Sequence, residues 1–207
     1  MPENLHKLFV ISSPSGGGKT SLINKLFEDS RSLNFEKSIS DTSRQKRQGD
    51  LEGKDYYFLS EKDFKDKIKK EEYVEYAIVF GNFYGTSKKE ITTKYNNSNL
   101  ILELDWQGAY AVKELFDDAK LIFLVPPSLD DLKQRLIKRN LDSSEEIENR
   151  LSEAKKEISK SEMYDYLVLN DDFDKAFEDL SQILFEGISP IDFNSRASKD
   201  LIKRLVE

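Results

Sequence analysis

The sequence predicts an α/β fold in which a mostly parallel sheet is flanked by helices on both faces. Four short runs are almost continuously hydrophobic, as expected of strands buried on both faces of a parallel sheet. The runs are KLFVIS (7–12), LILELD (100–105), KLIFLV (120–125) and DYLVLN (165–170). Each run is followed by an amphipathic helical pattern, over residues 20–30, 106–116, 128–139 and 171–187. This alternation is typical of an open, doubly wound sheet.

Two stretches interrupt the alternation. Residues 35–95 combine aromatic, strand-like segments with a charged helix, and predict a small α+β insertion. Residues 127–160 are strongly charged and helical, with a turn and capping signal at 139–146, and predict a helical hairpin over the edge of the sheet. The tail, 195–207, predicts a surface helix. We therefore predict one folding unit with three parts: a core of residues 1–34, 96–126 and 161–207, an insertion of 35–95, and a hairpin of 127–160.

The composition excludes several classes of protein. The 207-residue chain has a formal net charge of −7, whereas a general binder of nucleic acids or anionic membranes needs a basic face. With no cysteine and one histidine, the chain cannot form disulfides or thiolate zinc sites, and histidine-based catalysis is nearly excluded. The longest apolar runs are too short to cross a bilayer or to form a signal peptide, so we expect a cytoplasmic protein.

The loop after the first strand suits phosphate binding. In the pattern G-x-x-x-x-G-K-[ST], glycines let backbone N–H groups surround phosphate oxygens at the positive end of a helix. Gly18, Lys19 and Thr20 match its last three positions, while Ser13 replaces its first glycine. We predict that Lys19 bridges the β and γ phosphates of a nucleoside triphosphate and that the Thr20 hydroxyl holds Mg²⁺. The predicted nucleotide-binding residues are Ser13, Pro14, Ser15, Gly16, Gly17, Gly18, Lys19 and Thr20.

A second motif narrows the reaction, since motors, switches and kinases all use phosphate loops. The stretch SDTSRQKRQGDLEGKDYYFL (40–59) resembles the signature of the guanylate kinases. The matching residues are Thr42, Ser43, Arg44, Arg47, Asp50, Gly53, Tyr56 and Phe58. The resemblance continues through VEYAIVFGNFYGTS, LELDWQG, DSSEEIENRL and YLVLNDD, and so covers nearly the whole chain. It implies a P-loop NTPase core with a GMP-binding insertion and a mobile lid, which together transfer the γ-phosphoryl group of ATP to GMP or dGMP with Mg²⁺.

The resemblance also implies which residues of the insertion bind GMP. Arg44 and Arg47 would hold its phosphate, since planar guanidinium groups make paired, charge-assisted hydrogen bonds, and Tyr56 and Tyr84 would donate to the same phosphate. Glu75 would accept from the ring N–H and amino group of guanine, donors that adenine lacks. The other implied GMP contacts are Ser40, Gly85, Thr86, Glu103 and Asp105, with Glu103 standing where the family usually has aspartate.

The charged hairpin matches the lid of the same family. Arg135, Arg139 and Arg150 correspond to its lid arginines, which together with Lys19 and Arg44 form the implied catalytic set. Five of the eight arginines of the chain, Arg44 and Arg47 included, fall at proposed phosphate sites, whereas lysine covers most of the surface. Asn140 replaces a glycine that the family's lid often has, and Asn170 matches a position near the adenine of ATP.

From the sequence alone, three other functions must be weighed against GMP phosphorylation. A kinase for another nucleoside monophosphate is disfavoured by Glu75 and the arginine motif. A non-catalytic guanylate-kinase-like module, which binds phosphorylated peptides, would have a degraded phosphate loop, whereas Gly18, Lys19 and Thr20 are intact. A GTP switch would carry an Asn-Lys-x-Asp stretch, which the sequence lacks. We expect GMP or dGMP and ATP as partners, with neither nucleic acid nor membrane, and the sequence leaves the oligomeric state open.

Overall fold

The computed structural model describes residues 6–47, 49–79, 81–139, 144–191 and 195–207. The strands are β1 (Leu8–Ser12), β2 (Phe35–Lys37), β3 (Asp41–Thr42), β4 (Tyr57–Phe58), β5 (Tyr73–Val79), β6 (Asn82–Ser87), β7 (Asn99–Glu103), β8 (Lys120–Val125) and β9 (Tyr166–Leu169). The α-helices are α1 (Lys19–Glu28), α2 (Glu61–Lys69), α3 (Lys88–Tyr95), α4 (Trp106–Leu115), α5 (Leu129–Arg139), α6 (Ser144–Ser159), α7 (Phe173–Ser181) and α8 (Arg196–Val206). None of these described helices is both long and apolar enough to span a bilayer.

The larger sheet has five parallel strands in the order β2, β7, β1, β8, β9. Four of them correspond to the four hydrophobic runs of the sequence, so the predicted α/β fold with a helix-flanked parallel sheet is confirmed. Because the strands are parallel, their carboxyl ends lie at one edge of the sheet, and the loops that follow β1 and β7 meet there.

Both faces of this sheet are buried, which explains the continuous hydrophobicity of its strands. Along β1, Val10 packs on the face covered by α3, α4, α6 and α8, whereas Phe9 and Ile11 pack on the opposite face with α1 and α7. The predicted helix at 171–187 is divided: α7 ends at Ser181, a π-helical turn covers Gln182–Glu186, and Gly187 ends it with a φ of 71°.

The smaller sheet has the strand order β4, β3, β6, β5 and forms most of the insertion. Its β5 and β6 pair antiparallel, and α2 covers them through Phe64, whose ring stacks on Tyr73 and Phe83 at centroid distances of 4.5 and 5.3 Å. Such aromatic pairs stabilise a small sheet beyond the area that they bury. The insertion is therefore a small α+β unit with its own hydrophobic contacts.

The predicted limits of the insertion differ from the sheet arrangement. Strand β2 pairs with β7 in the larger sheet, although the predicted boundary at residue 34 assigns it to the insertion. Helix α3, which the predicted limits also assign to the insertion, packs Ile91 and Tyr95 into the main core. Both segments are short, and their place depends on partners far along the chain. The three-part division itself remains a prediction.

The charged segment forms the helices α5 and α6, joined by an ion pair of 2.6 Å between Lys133 and Glu148. Helix α5 packs over the phosphate loop. The approach is close at Gly16, where an added Cβ would lie only 3.1 Å from side-chain carbons of Leu132 and Leu136. The connection at 140–143, and with it the prediction made for Asn140, lies outside the described residues.

Candidate active site

The phosphate loop leads from the end of β1 into the start of α1. Gly16 and Gly18 have φ values of 89° and 90°, a left-handed conformation that favours glycine, and the N–H of Gly17 donates to Pro14 O at 2.8 Å. Glu71 is the one non-glycine residue of the described chain with a positive φ, so Ser13 needs no glycine-like backbone. Serine at position 13 therefore causes no backbone strain, and its Oγ donates to Pro14 O at 3.1 Å.

Lys19 extends from the start of α1 towards the end of β7. Its Nζ donates to Leu104 O at 3.2 Å, in a half-buried position. Burial lowers the pKa of Lys19, and the negative charges of Glu103, Glu157 and Asp105 oppose that shift. A lysine ammonium that is partly removed from water and held by a carbonyl can exchange this contact for a phosphate oxygen.

Glu103 joins the phosphate loop to the edge of the sheet. Its Oε1 accepts from Thr20 Oγ1 at 2.6 Å, and its Oε2 accepts from Lys37 Nζ at 2.7 Å. Burial by itself raises the pKa of Glu103, but the charges of Lys19 and Lys37 outweigh it, so the net pKa lies below its usual range. Glu103 is therefore ionised near neutral pH, with both oxygens engaged.

A second carboxylate, Glu75 on β5, lies at the inner side of the smaller sheet. Its Oε1 accepts from Thr86 Oγ1 at 2.7 Å, and Ser40 Oγ lies 3.4 Å from the same hydroxyl. Burial raises the pKa of Glu75, although the hydrogen bond from Thr86 lowers it. Gly85 allows β6 to approach this strand, since a Cβ there would lie 2.9 Å from Glu75 O. The three polar side chains form a compact hydrogen-bonding edge.

The arginine motif lies beside two tyrosines, Tyr56 directly before β4 and Tyr84 in β6. Arg44 forms an ion pair of 2.9 Å with Asp50, and its guanidinium carbon lies 5.5 Å from the ring centre of Tyr56. Tyr84 is 5.7 Å from Tyr56, edge to face. The main-chain N–H of Arg47 and the Arg44 guanidinium hold the pKa of Asp50 below its usual range. The side chain of Arg47 is exposed. The motif thus presents cations and phenols on one surface.

Two of the three predicted lid arginines contact residues around the phosphate loop. Arg135 donates through Nη2 to Asn170 O at 2.8 Å, and Arg150 donates through Nη1 to Ser15 Oγ at 3.0 Å. The side chain of Arg139 lies outside the described residues. Asn170 is itself buried and donates through Nδ2 to Gly17 O at 2.7 Å. Its amide therefore supports the phosphate loop directly, a role that the sequence pattern did not indicate.

A cavity of about 350 Å³ brings several predicted residues together. The predicted residues on its wall are Lys19, Thr20, Ser40, Tyr56 and Glu103. Glu75 and Asp105 line a neighbouring cavity of about 340 Å³ between β5 and α4, and the Asp105 carboxylate caps α4 by accepting from Gly108 N at 2.9 Å. The site thus has a phosphate-loop wall and an insertion wall, with Glu103 between them.

Three charged residues of the first cavity were not predicted from the sequence: Lys37, Lys54 and Asp55. Glu157 of α6, whose negative charge raises the pKa of Lys19, was not predicted either. The position of Lys37 at the end of a β-rich triplet, directly before the Ser-x-Ser stretch, was the one signal that could have identified it. In the described part of the chain, no group of three or more His, Cys, Asp or Glu residues could hold a metal ion.

Comparison with known proteins identifies the relatives of this arrangement. The family model of guanylate kinase matches residues 5–187. A guanylate kinase of Wolbachia sp. subsp. Brugia malayi is 46% identical over 184 residues, which cover 88% of this chain and 93% of the relative. One of Hahella chejuensis is 47% identical over 178 residues, covering 86% and 85%. The crystal structure of guanylate kinase from Anaplasma phagocytophilum superposes with a TM-score of 0.69 at 32% identity, covering 99% of this chain and 98% of the other.

Proposed function

The chain belongs to the guanylate kinase family, and we propose that its phosphate loop binds ATP on one wall of the central cavity while its insertion binds GMP on the other. The protein is an ATP-dependent nucleoside monophosphate kinase, which transfers the γ-phosphoryl group of ATP to GMP and yields ADP and GDP. One observation carries the assignment of the two walls: Lys19 and Thr20 of the loop face the same cavity as Ser40 and Tyr56 of the insertion.

On the ATP wall, the loop from Ser13 to Thr20 surrounds the phosphates with the backbone N–H groups of its residues other than Pro14, which has none. Lys19 exchanges its contact with Leu104 O for β and γ phosphate oxygens. The Thr20 hydroxyl donates a hydrogen bond to Glu103, so its oxygen lone pairs remain available for a hard cation. This donor suits Mg²⁺, which binds few protein ligands and keeps phosphate oxygens and waters. Mg²⁺ bound there would neutralise phosphate charge.

On the GMP wall, Arg44 and Arg47 bind the monophosphate together with the hydroxyls of Tyr56 and Tyr84. Asp50 already pairs with Arg44 at 2.9 Å, so the phosphate competes with it for one edge of the guanidinium. Around the base, Glu75 accepts from the two donors of guanine, with Thr86 and Ser40 beside it. We extend the proposal to dGMP, which carries the same base and phosphate.

Phosphoryl transfer then depends on alignment and on cations around the developing charge. Lys19 and Arg44 approach the reacting phosphates from the two walls, and Arg135 and Arg150 approach from the lid, with Arg139 as the third lid arginine. The acceptor phosphate is already anionic and needs no strong general base. Closure of insertion and lid excludes water, so we propose that rapid consumption of ATP requires GMP.

The non-catalytic phosphopeptide module is not favoured. Such a module has no use for a loop that presents glycine-dependent backbone N–H groups and a partly desolvated lysine, whereas both features are intact here. We further propose that the enzyme works in the cytoplasm, since a chain without cysteine suits a reducing compartment. We also propose that its partners are small-molecule substrates alone, because a net charge of −7 gives nucleic acids no general attraction.

The proposed sites are tested by nucleoside diphosphate formation from ATP and Mg²⁺ with GMP, dGMP, AMP, CMP, UMP and dTMP in parallel. We expect turnover with GMP and dGMP and its loss in Lys19→Ala. Melting temperatures of both proteins show whether the variant is folded. Turnover of AMP or a pyrimidine nucleotide at the rate of GMP would contradict the guanine site, and fast ATP hydrolysis without GMP would contradict the closure argument.

A further inference from the structure

Lys37, which is outside the set expected from the family resemblance, lies on the wall of the central cavity. It ends β2, and its backbone is held on both sides: Lys37 O accepts from Lys94 Nζ at 2.8 Å, and the N–H of the next residue, Ser38, donates to Ile101 O at 2.9 Å. Its ammonium lies 2.7 Å from Glu103 Oε2, with 37% of the lysine side chain exposed and 17% of the glutamate. A fixed strand therefore brings this charge to the site.

The contact with Lys37 restricts the conformations that the Glu103 side chain can adopt. The other oxygen of Glu103 accepts from Thr20 Oγ1 at 2.6 Å, so a continuous chain of three side chains joins the end of β2 to the phosphate loop. Glutamate has one more rotatable bond than the aspartate usual in the family, and ordering that bond costs conformational entropy. An ion pair at the far oxygen restricts this additional freedom.

The charge balance of the cavity requires the same lysine. GMP and ATP are both anions, and an uncompensated carboxylate between them would repel both phosphate groups. Lys19 and Lys37 both line this cavity and both lower the pKa of Glu103, and Lys37 contacts its Oε2 directly at 2.7 Å. When Lys19 turns to the phosphates of ATP, Lys37 is the cation that stays with Glu103.

We propose that Lys37 is a positioning residue for GMP phosphorylation, which holds Glu103 against Thr20 and offsets its charge where the acceptor nucleotide binds. The inference rests on the proposed function of the two walls. Without Lys37, Glu103 is free to rotate and its negative charge faces the incoming monophosphate. Removing Lys37 therefore weakens GMP binding through Glu103. When a neutral residue replaces Glu103, the removal of Lys37 has little further effect.

A double-mutant cycle tests this dependence. The proteins are the wild type, Lys37→Met, Glu103→Gln and the double variant, with Kd for GMP measured by calorimetry and kcat and KM by diphosphate formation. We expect Lys37→Met to raise both Kd and KM for GMP about tenfold, the size of one charge-assisted hydrogen bond, and to change them less than about twofold when Glu103→Gln is already present. Lys37→Arg keeps the charge and should restore most of the affinity.

Lys54→Met is the matched control, because Lys54 lines the same cavity and the change removes the same charge. Its effect on the Kd for GMP, whatever its size, should be the same with and without Glu103→Gln. Equal effects of Lys37→Met in both backgrounds, or no effect in either, would overturn the inference. If the wild type neither binds nor phosphorylates GMP, the proposed function fails; if it does both and only the coupling is missing, this inference alone fails.

Discussion

Glu157 provides a test of how the lid helix α6 affects stability near the phosphate loop. The residue is half-buried, and its charge interacts with those of Lys19, Asp105 and Glu153. Burial raises the pKa of Glu157 to about 7 from an ordinary 4.5, Lys19 opposes the rise, and the two carboxylates add to it. Replacing this residue by glutamine, Glu157→Gln, keeps the shape of the side chain and removes the titration.

The sign follows from proton binding. In the unfolded chain Glu157 loses its proton near pH 4.5, whereas in the folded protein it keeps the proton to about pH 7. Between these two values the folded state binds more protons, so rising pH lowers the free energy of unfolding of the wild type. At about 1.4 kcal/mol for each pKa unit, the total loss is at most about 3.5 kcal/mol, and water that reaches the half-buried carboxylate reduces it.

The assay is urea denaturation of the wild type and Glu157→Gln at intervals from pH 4 to pH 8.5. The variant should gain stability relative to the wild type as pH rises from about 4.5 to about 7, and the difference should then stay constant. Glu178→Gln, an exposed change on α7, is the control for loss of a carboxylate and should show no such trend. A stability difference between the wild type and Glu157→Gln that is independent of pH, or that falls as pH rises, would refute the reasoning.

Three other perturbations follow from the structure. Gly18→Ala should destabilise the protein by at least about 1 to 2 kcal/mol in urea denaturation and weaken ATP binding in calorimetry, because φ is 90° and the new Cβ would lie 2.4 Å from Asn170 Nδ2. Gly187→Ala, with φ of 71° and open space around it, should leave the ATP affinity unchanged. Glu75→Gln should lower kcat/KM for GMP about 10² to 10⁴-fold, since the neutral amide can no longer make the two charge-assisted hydrogen bonds of the proposed guanine site, and equal kinetics of the two proteins would contradict that proposed role. Asp41→Asn should cost about 1 to 3 kcal/mol in urea denaturation, because the buried carboxylate accepts from a lysine and a tyrosine of the insertion, and an unchanged midpoint would refute this.

Local sequence patterns predicted the strands and the phosphate loop well, because buried parallel strands and glycine-dependent turns leave their mark within a few residues. The same patterns were uninformative where an element is short. Strand β2 has three residues, and only its pairing with β7 assigns it to the larger sheet. The helical pattern at 171–187 could not show that the helix changes to π geometry after Ser181.

The sequence by itself determined the fold class, the nucleotide loop and the family motif, since each depends on residues that are neighbours in the chain. Only the tertiary structure decided that Asn170 supports the loop backbone, that Lys37 pairs with Glu103 and that the charge of Glu157 raises the pKa of Lys19. These contacts join segments far apart in the sequence. The first two contacts form because parallel strands in the order β2, β7, β1, β8, β9 bring their carboxyl ends to one edge, whereas the third depends on the packing of α6; spacing along the chain carries no record of either.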